Sequence, residues 1–357
     1  MTVHRFVSIE ADPRRRGVEL GRHGAVGIRA NVGIYERLFR TVGVTDGQLA
    51  AFGAQSIERI EGWSPALAAE LEGVAEGSGV PLVSLGMLNA RTEILAIMGE
   101  TGEGECSTVV ALAAGAAPRT MQTWDWHDES NADTLVVSHP RADGLTVKYF
   151  TEFGLLGKIG LNGAGVGVHF NILNNRDDGG HVGVPVHAVA RRVLEEASTL
   201  DEAVALAQSA EVTASTVLTV IAFDGASADA AFVELSPRRT AVIPAGGERL
   251  LVHTNHFLDE ELSKGELSLE RSSTYPRRRL LIERADDLMQ RDPVRRAEAL
   301  AIHAAEGAEV CCHPDPALPF HLRWESLITI GLDLESSTLE FHDSRPCRVR
   351  RDSWQSF

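Results

Sequence analysis

The sequence predicts an α+β protein, on three observations. The first hundred residues read mainly as helix. After Gly104 the texture changes to short β-rich runs separated by Gly, Asn and Asp. A later helical block is then followed by further strands. With 357 residues and 44% hydrophobic content, the chain can build a substantial core, in one large domain or two ordinary ones.

Within the helical part, Gly27–Val42 carries apolar residues near helical spacing: Ile28, Val32, Ile34, Leu38, Phe39 and Val42. Ser64-Pro65 opens the next helix, with Ser as N-cap and Pro in the first turn, and the helix stops near Gly77–Gly79. A further helix is expected from about Leu82 to Met98. Strands are expected at Ser107–Ala111, Met121–Trp126, Thr134–His139, Thr146–Phe153 and Gly165–Asn171. Helix returns over Pro185–Ser209. Four more strands follow, at Ser215–Phe223, Ala230–Leu235, Thr240–Ile243 and Leu250–His253. Helix covers Pro276–Met289 and Pro293–Ala305, and two strands, Ser326–Asp333 and Thr338–His342, close the pattern.

Composition narrows the function classes. The formal net charge is −16, from 34 basic and 50 acidic residues. Such a balance repels phosphate backbones and anionic lipid, so neither a nucleic-acid nor a membrane partner is expected. Arg14–Arg16 and Arg277–Arg279 read as solvated faces. The four cysteines, Cys106, Cys311, Cys312 and Cys347, are not spaced as a zinc motif or as a disulfide framework. Reduced thiols in a cytoplasmic protein are the expectation, since the first residues lack a signal-peptide pattern and no apolar run has the length of a membrane span. Cys311-Cys312-His313 reads as a loop beside the active-site mouth, without further ligands at suitable spacing.

The chemistry concentrates where helix gives way to strand, at Gly104-Glu105-Cys106-Ser107-Thr108. Spacing alone leaves three readings of Cys106: a buried core thiol, a nucleophile served by a distant His, or an N-terminal nucleophile exposed by cleavage. Further along, Asp125 sits between Trp124 and Trp126, and an acid there is costly to bury without partners. Gly160–Gly167 reads as a tight turn between strands, not as a dinucleotide motif, because strand follows it. His253 and His256 flank Thr254-Asn255. At the end of a strand they are expected on opposite faces, which argues against a shared metal.

Taken together, Ala90-Arg91-Thr92-Glu93, Glu105-Cys106-Ser107-Thr108, Gln122-Thr123-Trp124-Asp125-Trp126, Gly160–Gly167 and His253-Thr254-Asn255-His256 resemble the acyl-coenzyme A:6-aminopenicillanate acyltransferase family. So do Ser64–Glu93 and the closing stretch from Trp324 to Cys347. That family is the cysteine branch of the N-terminal nucleophile hydrolases and is also treated as a peptidase family. The resemblance covers nearly the whole chain, and its weight lies in the order and spacing of the segments.

The resemblance implies a four-layer αββα sandwich, with two antiparallel sheets between helices. It implies a single domain over 1–357 that cuts itself between Glu105 and Cys106, giving an α piece, 1–105, and a β piece, 106–357, held together as a heterodimer. Cys106 is the nucleophile it implies, Asp125 the residue that orients the freed amine, and Asn255 the donor to the oxyanion. Asn162, Gln122, Trp124 and Arg277 are expected to contact substrate or oxyanion, or to support the nucleophile. Gln122 stands where related bile-salt-type hydrolases carry Arg, and Glu105 where the fungal penicillin enzymes carry Gly. The expected substrate is a small-molecule amide, with acyl-CoA in the acyl-transfer alternative, and no metal or organic cofactor is required. Free α-amines titrate at about 7.7–8.0 and thiols near 8.5, so a cleaved Cys106 would bring its own base.

Overall fold

A computed structural model describes residues 2–99, 106–128, 133–267 and 272–357. The chain opens with a strand that sequence patterning does not signal, β1 (Val3–Val7), before α1 (Pro13–Thr41), α2 (Asp46–Trp63), α3 (Pro65–Ser78), α4 (Leu82–Asn89) and α5 (Arg91–Ile97). Helix α1 starts well before the expected Gly27. Asp12 accepts from the Arg15 N–H as its N-cap, and Pro13 occupies the first turn. Helix α2 fills the stretch left unassigned between Val42 and Ser64, and Thr45 and Gln48 form a capping box at its start. Helix α3 ends as expected, on Gly79 in the left-handed region at φ 71°. The predicted single helix over Leu82–Met98 is interrupted at Ala90, giving α4 and α5.

Helices α1 and α3 touch backbone to backbone. A Cβ on Gly17 would lie 2.1 Å from the Glu70 carbonyl oxygen, and one on Gly73 would lie 2.1 Å from that of Arg14. No side chain fits at either position without parting the pair. The close approach also brings Arg16 of α1 onto Glu70 of α3.

The strands that follow are β2 (Ser107–Ala111), β3 (Arg119–His127), β4 (Thr134–Pro140), β5 (Thr146–Glu152), β6 (Ile159–Asn162) and β7 (Val166–Ile172). Strand β6 occupies the first part of the expected turn, so the turn itself is confined to 163–165. The expected helix over Pro185–Ser209 is two helices, α6 (Val186–Glu196) and α7 (Leu200–Gln208). Then come β8 (Thr216–Phe223), β9 (Ala228–Leu235), β10 (Thr240–Pro244) and β11 (Leu250–His253). Next are α8 (Glu260–Ser263), α9 (Thr274–Glu283), α10 (Ala285–Leu288) and α11 (Pro293–Ala299). Strands β12 (Trp324–Asp333), β13 (Thr338–His342) and β14 (Gln355–Ser356) end the chain.

Two sheets result. One runs β1-β4-β5-β6-β7-β8-β9-β10, the other β11-β2-β3-β12-β13-β14. Neighbours are antiparallel with one correction to the expected pattern: β1 pairs in parallel with β4. The long connection through α1–α5, β2 and β3 permits it, since parallel neighbours need a crossover. The sheets face each other, β2 against β7 and β13 against β5 and β6. Trp124, Trp126, Val110, Phe150, Val168 and Ile330 belong to the main core between them. Helices α6 and α7 cover the larger sheet. Leu281, Leu288, Val294 and Leu300 from the α9–α11 region cover the outer face of the smaller one, through Val109, Met121 and Val252. The architecture is the αββα sandwich that the motifs imply.

Buried charges tie the helical layer to the sheets. Glu70 takes ion pairs from Arg16 and from Arg191 of α6. Burial alone would raise its pKa, but the two guanidinium groups bring it down to about 2. This folded pKa lies below the ordinary one, so the pair's stabilisation is present at neutral pH and is lost as pH falls from about 4.5 toward 2.

Glu93 behaves in the opposite sense. From α5 its Oε1 accepts the Val186 N–H at 2.9 Å, capping α6 from a distance. Burial pushes its carboxyl up to about 7. The folded state therefore holds this proton longer than the unfolded chain, and stability declines as pH rises from about 4.5 to 7. Glu93→Gln keeps the acceptor and removes the charge. It is expected to raise the melting temperature at pH 8 and to leave it nearly unchanged at pH 4.5, which thermal unfolding at the two pH values checks.

Candidate active site

Cys106 stands immediately before β2, with 3% of its surface exposed. Glu105, on the other side of the expected cut, lies outside the described residues. The thiol rests against the backbone of the next strand. The Asp125 N–H donates to Sγ at 3.4 Å, and the thiol approaches the Asp125 carbonyl at 3.8 Å. The Cys106 carbonyl is held by two donors, Asn171 Nδ2 at 3.0 Å and the Arg277 guanidinium at 2.9 Å. The backbone at Cys106 is thus fixed from β7 on one side and α9 on the other.

Arg277 is fully buried and organises this corner. Besides the Cys106 carbonyl it reaches Ser107 Oγ at 3.0 Å, Asn255 Oδ1 at 3.0 Å and Ser273 Oγ at 3.2 Å. Of the three adjacent arginines, this is the one turned inward, while Arg278 reaches the Val252 carbonyl. The expectation of a solvated basic cluster is corrected at Arg277, and that for Arg14–Arg16 is corrected at Arg16, which is buried against Glu70. The helix of Arg277 packs on β11 and β2, and position 277 points down into the sheet.

Asn255, half-buried just past β11, accepts from Arg277 and donates through Nδ2 to the Ile172 carbonyl at 2.8 Å. An amide carries two N–H groups, so one remains for a ligand. The Asn255 N–H donates to Thr274 Oγ1 at 2.8 Å, which fixes the loop.

Asp125 is fully buried on β3, opposite Ser326 of β12, beside an irregularity in that pairing. By strand alternation its side chain lies on the face opposite Trp124 and Trp126. Trp124 and Trp126 instead roof a charged cluster between the layers. Lys158 Nζ is 3.6 Å from the Trp124 ring centroid, and the Arg91 guanidinium is 4.1 Å from that of Trp126. Both cations pair with Glu152, which also accepts from Tyr35 at 2.6 Å.

These surroundings set the thiol. Burial pushes Cys106 up and the Asp125 charge adds to the effect. The Asp125 N–H, Arg277 and Lys158 offset part of it, and the result is about 12. In the intact chain Cys106 is a neutral thiol at neutral pH, and attack requires a base. Among the described residues no histidine nitrogen is hydrogen-bonded to Sγ. His127, His169 and His256 are all held neutral, near 3, chiefly by burial. His169 spans Gln122 and Thr120, and His256 stacks on Tyr275.

Not every expected residue gathers here. Gln122 is bonded to His169 and to the Phe170 backbone, so it ties the two sheets together. Asn162 donates to the Leu194 and Ala197 carbonyls and accepts from the Ala164 and Val166 N–H groups. It clamps the β6–β7 turn to the end of α6. His253 and His256 do not diverge as expected. The strand ends at His253, and their rings come to 6.4 Å, but His253 is taken by Glu234 and His256 by the Thr254 and Thr274 hydroxyls.

Sequence reasoning missed Asn171. It also assigned no role to Lys158, Glu152 or Tyr35. Asn171 had a signal: a lone amide in the otherwise apolar end of β7, which a fully buried strand excludes unless it is bonded.

A cavity of about 350 Å³ opens beside Ser273, bounded by Glu309, Cys312, Leu318 and Trp324. Ser273 Oγ in turn accepts from Arg277 Nε at 3.2 Å.

Comparison with known proteins gives the following. The sequence profile of the family "Acyl-coenzyme A:6-aminopenicillanic acid acyl-transferase" matches residues 115–291, a stretch that holds Asp125, Asn162, Asn255 and Arg277 and begins after Cys106. The 40 kDa form of acyl-coenzyme A:6-aminopenicillanic-acid-acyltransferase from Emericella nidulans is 30% identical over 189 residues. That alignment takes in 53% of this chain and 51% of the fungal protein, so the chain spans about half the length of this curated relative. Among solved structures, penicillin V acylase from Agrobacterium tumefaciens aligns with a TM-score of 0.43 and 16% identity, over 67% of this chain and 83% of that one. A variant of conjugated bile acid hydrolase from Clostridium perfringens aligns at 0.45 and 12%, over 70% and 92%. By sequence the chain is similar to the acyl-coenzyme A:6-aminopenicillanic acid acyl-transferase family over about half its length, the family its motifs resemble.

Proposed function

We propose that the protein is a self-processing cysteine amidohydrolase acting on the amide bond of a small N-acyl amine or N-acyl amino acid. The observation that carries this reading is a pinned, buried thiol with no histidine partner among the described residues. Such a thiol gains a base at neutral pH if the chain is cut on its N-terminal side, because the new α-amine sits on the same residue.

In the first reaction the Cys106 thiol adds to the Glu105 carbonyl, its proton passes to the Cys106 nitrogen as the C–N bond breaks, and water resolves the resulting thioester. The products are an α piece ending at Glu105 and a β piece beginning at Cys106. In turnover the amine accepts the thiol proton, Sγ attacks the substrate carbonyl, and the Asn255 amide stabilises the oxyanion. The same proton then goes to the leaving amine, and water releases the acyl group. Asp125 holds the amine in register. The cut pieces stay together as a heterodimer, because β1 remains in the ladder with β4 and the Arg91–Glu152 and Glu70–Arg191 pairs span the two.

Acyl transfer to an amine is the second reading, favoured by the match to an acyltransferase profile. It uses the same acyl-enzyme, with an amine in place of water at the last step.

Intact mass measurement under denaturing conditions tests processing. Two fragments are expected, the second beginning at Cys106. A single chain in active protein would remove the amine as base. Hydrolysis and transfer separate on adding an amine acceptor to N-acyl substrates: transfer yields a new amide, hydrolysis the free acid alone.

A further inference from the structure

Cys311 and His313 read in sequence as a loop without further metal ligands. The fold supplies them. His303 comes from the turn after α11, and Cys347 from the short helical turn Pro346–Arg348 beyond β13. One ligand atom from each of His303, Cys311, His313 and Cys347 falls in a group whose members all lie within 4.8 Å of one another. His313 Nε2 is 3.6 Å from Cys311 Sγ and 3.6 Å from Cys347 Sγ. The His303 and His313 rings stand 5.1 Å apart.

We propose that His303, Cys311, His313 and Cys347 form a structural zinc site that staples the cavity-wall loop to the C-terminal segment.

The donor set and the spacing both argue for it. Two thiolates with two imidazoles suit Zn²⁺, which takes four such ligands tetrahedrally. With Zn–S about 2.3 Å and Zn–N about 2.0–2.1 Å, a sulfur and a nitrogen on one ion lie about 3.5–3.6 Å apart. Both measured S···N separations have that value. Binding displaces a proton from each thiol, so two negative sulfurs balance the two charges of the ion.

One existing contact must change. Arg345 now donates to His313 Nδ1 at 3.1 Å. With Nε2 on the metal, Nδ1 carries the ring proton and can no longer accept. Arg345 then keeps its second partner, Glu325, at 3.5 Å. Near His303, Glu306 Oε1 lies 4.0 Å from Nδ1, within reach of the carboxylate–histidine arrangement that orients metal-bound imidazoles.

The location gives the site a task. His313 and Cys312 line the cavity beside Ser273. The Cys312 N–H donates to Ser326 Oγ at 2.9 Å, and Ser326 stands opposite Asp125. The staple would therefore fix the loop that borders this cavity, without taking part in acyl chemistry.

Cobalt titration of the full-length protein, kept reduced, tests this. Uptake of one Co²⁺ per chain is expected, with thiolate-to-cobalt charge transfer in the near ultraviolet, tetrahedral bands in the visible, and displacement by Zn²⁺. Cys347→Ser and His313→Ala, both away from the packed core, are each expected to lose that spectrum and the stoichiometric uptake. Cys106→Ala is expected to keep both. The proposal is overturned if reduced wild-type protein takes up no cobalt, if the spectrum persists in both variants, or if it disappears with Cys106. A Cys311–Cys347 disulfide that yields no metal uptake after reduction would overturn it too. None of these readouts depends on the acyl-enzyme reading.

Discussion

Cys106→Ala is expected to yield one uncut chain with no measurable turnover. Removing the attacking group where nucleophile and base act as a unit costs on the order of 10⁴ to 10⁶ in kcat, and in the proposed mechanism one residue supplies both. The loss is not expected to come through the fold. Cys106 sits at the edge of the core, Ala fills most of its volume, and the hydrogen bonds of its sulfur among the described residues go to the Asp125 backbone; the carbonyl held by Asn171 and Arg277 is unchanged by the substitution. Intact mass, far-ultraviolet circular dichroism and turnover of an N-acyl substrate, measured together, check this. A cut Cys106→Ala chain would mean that another residue or a contaminating protease makes the break. An uncut but active one would end the cysteine mechanism.

The layers and the corner of the site differ in how far they could be read in advance. Strands β2, β11 and β13 fall at their expected bounds, because each is a β-branched or apolar run closed by turn residues. Helix ends are less legible. The break at Ala90 carries no proline, glycine or side-chain cap, so tertiary packing decides it, whereas the one after α6 is marked locally by Thr199, which caps α7 by accepting from the Glu202 N–H. Strand β1 is a single short strand whose partner lies across the chain, and nothing local announces that it pairs with β4. In the site, Cys106, Asp125 and Asn255 stand out because each is a polar residue in a distinctive motif. Arg277 was visible only as one of three arginines. Which of them turns inward depends on the register of α9 over β2, a three-dimensional fact. The same holds for Cys347, which meets Cys311 only after β12 and β13 have brought the chain back.

Asn255→Ala is expected to lower kcat by about 10² to 10³ with little change in KM, the usual cost of losing one oxyanion donor. Asn255 also accepts from Arg277, so it has a positioning role beside the donor role, and Asn255→Asp separates the two. An aspartate keeps an acceptor for Arg277 but has no N–H to give, either to the Ile172 carbonyl or to an oxyanion. If donation matters, Asp is as poor as Ala. If the residue serves only to anchor Arg277, Asp retains most of the wild-type rate, and the oxyanion role passes elsewhere. Self-cleavage gives an independent reading of the same corner. Arg277 still holds the Cys106 carbonyl and Ser107 in both variants, so the nucleophile stays placed. A variant that cuts itself normally and then turns over slowly would locate the defect in the substrate's oxyanion, not in the position of the thiol.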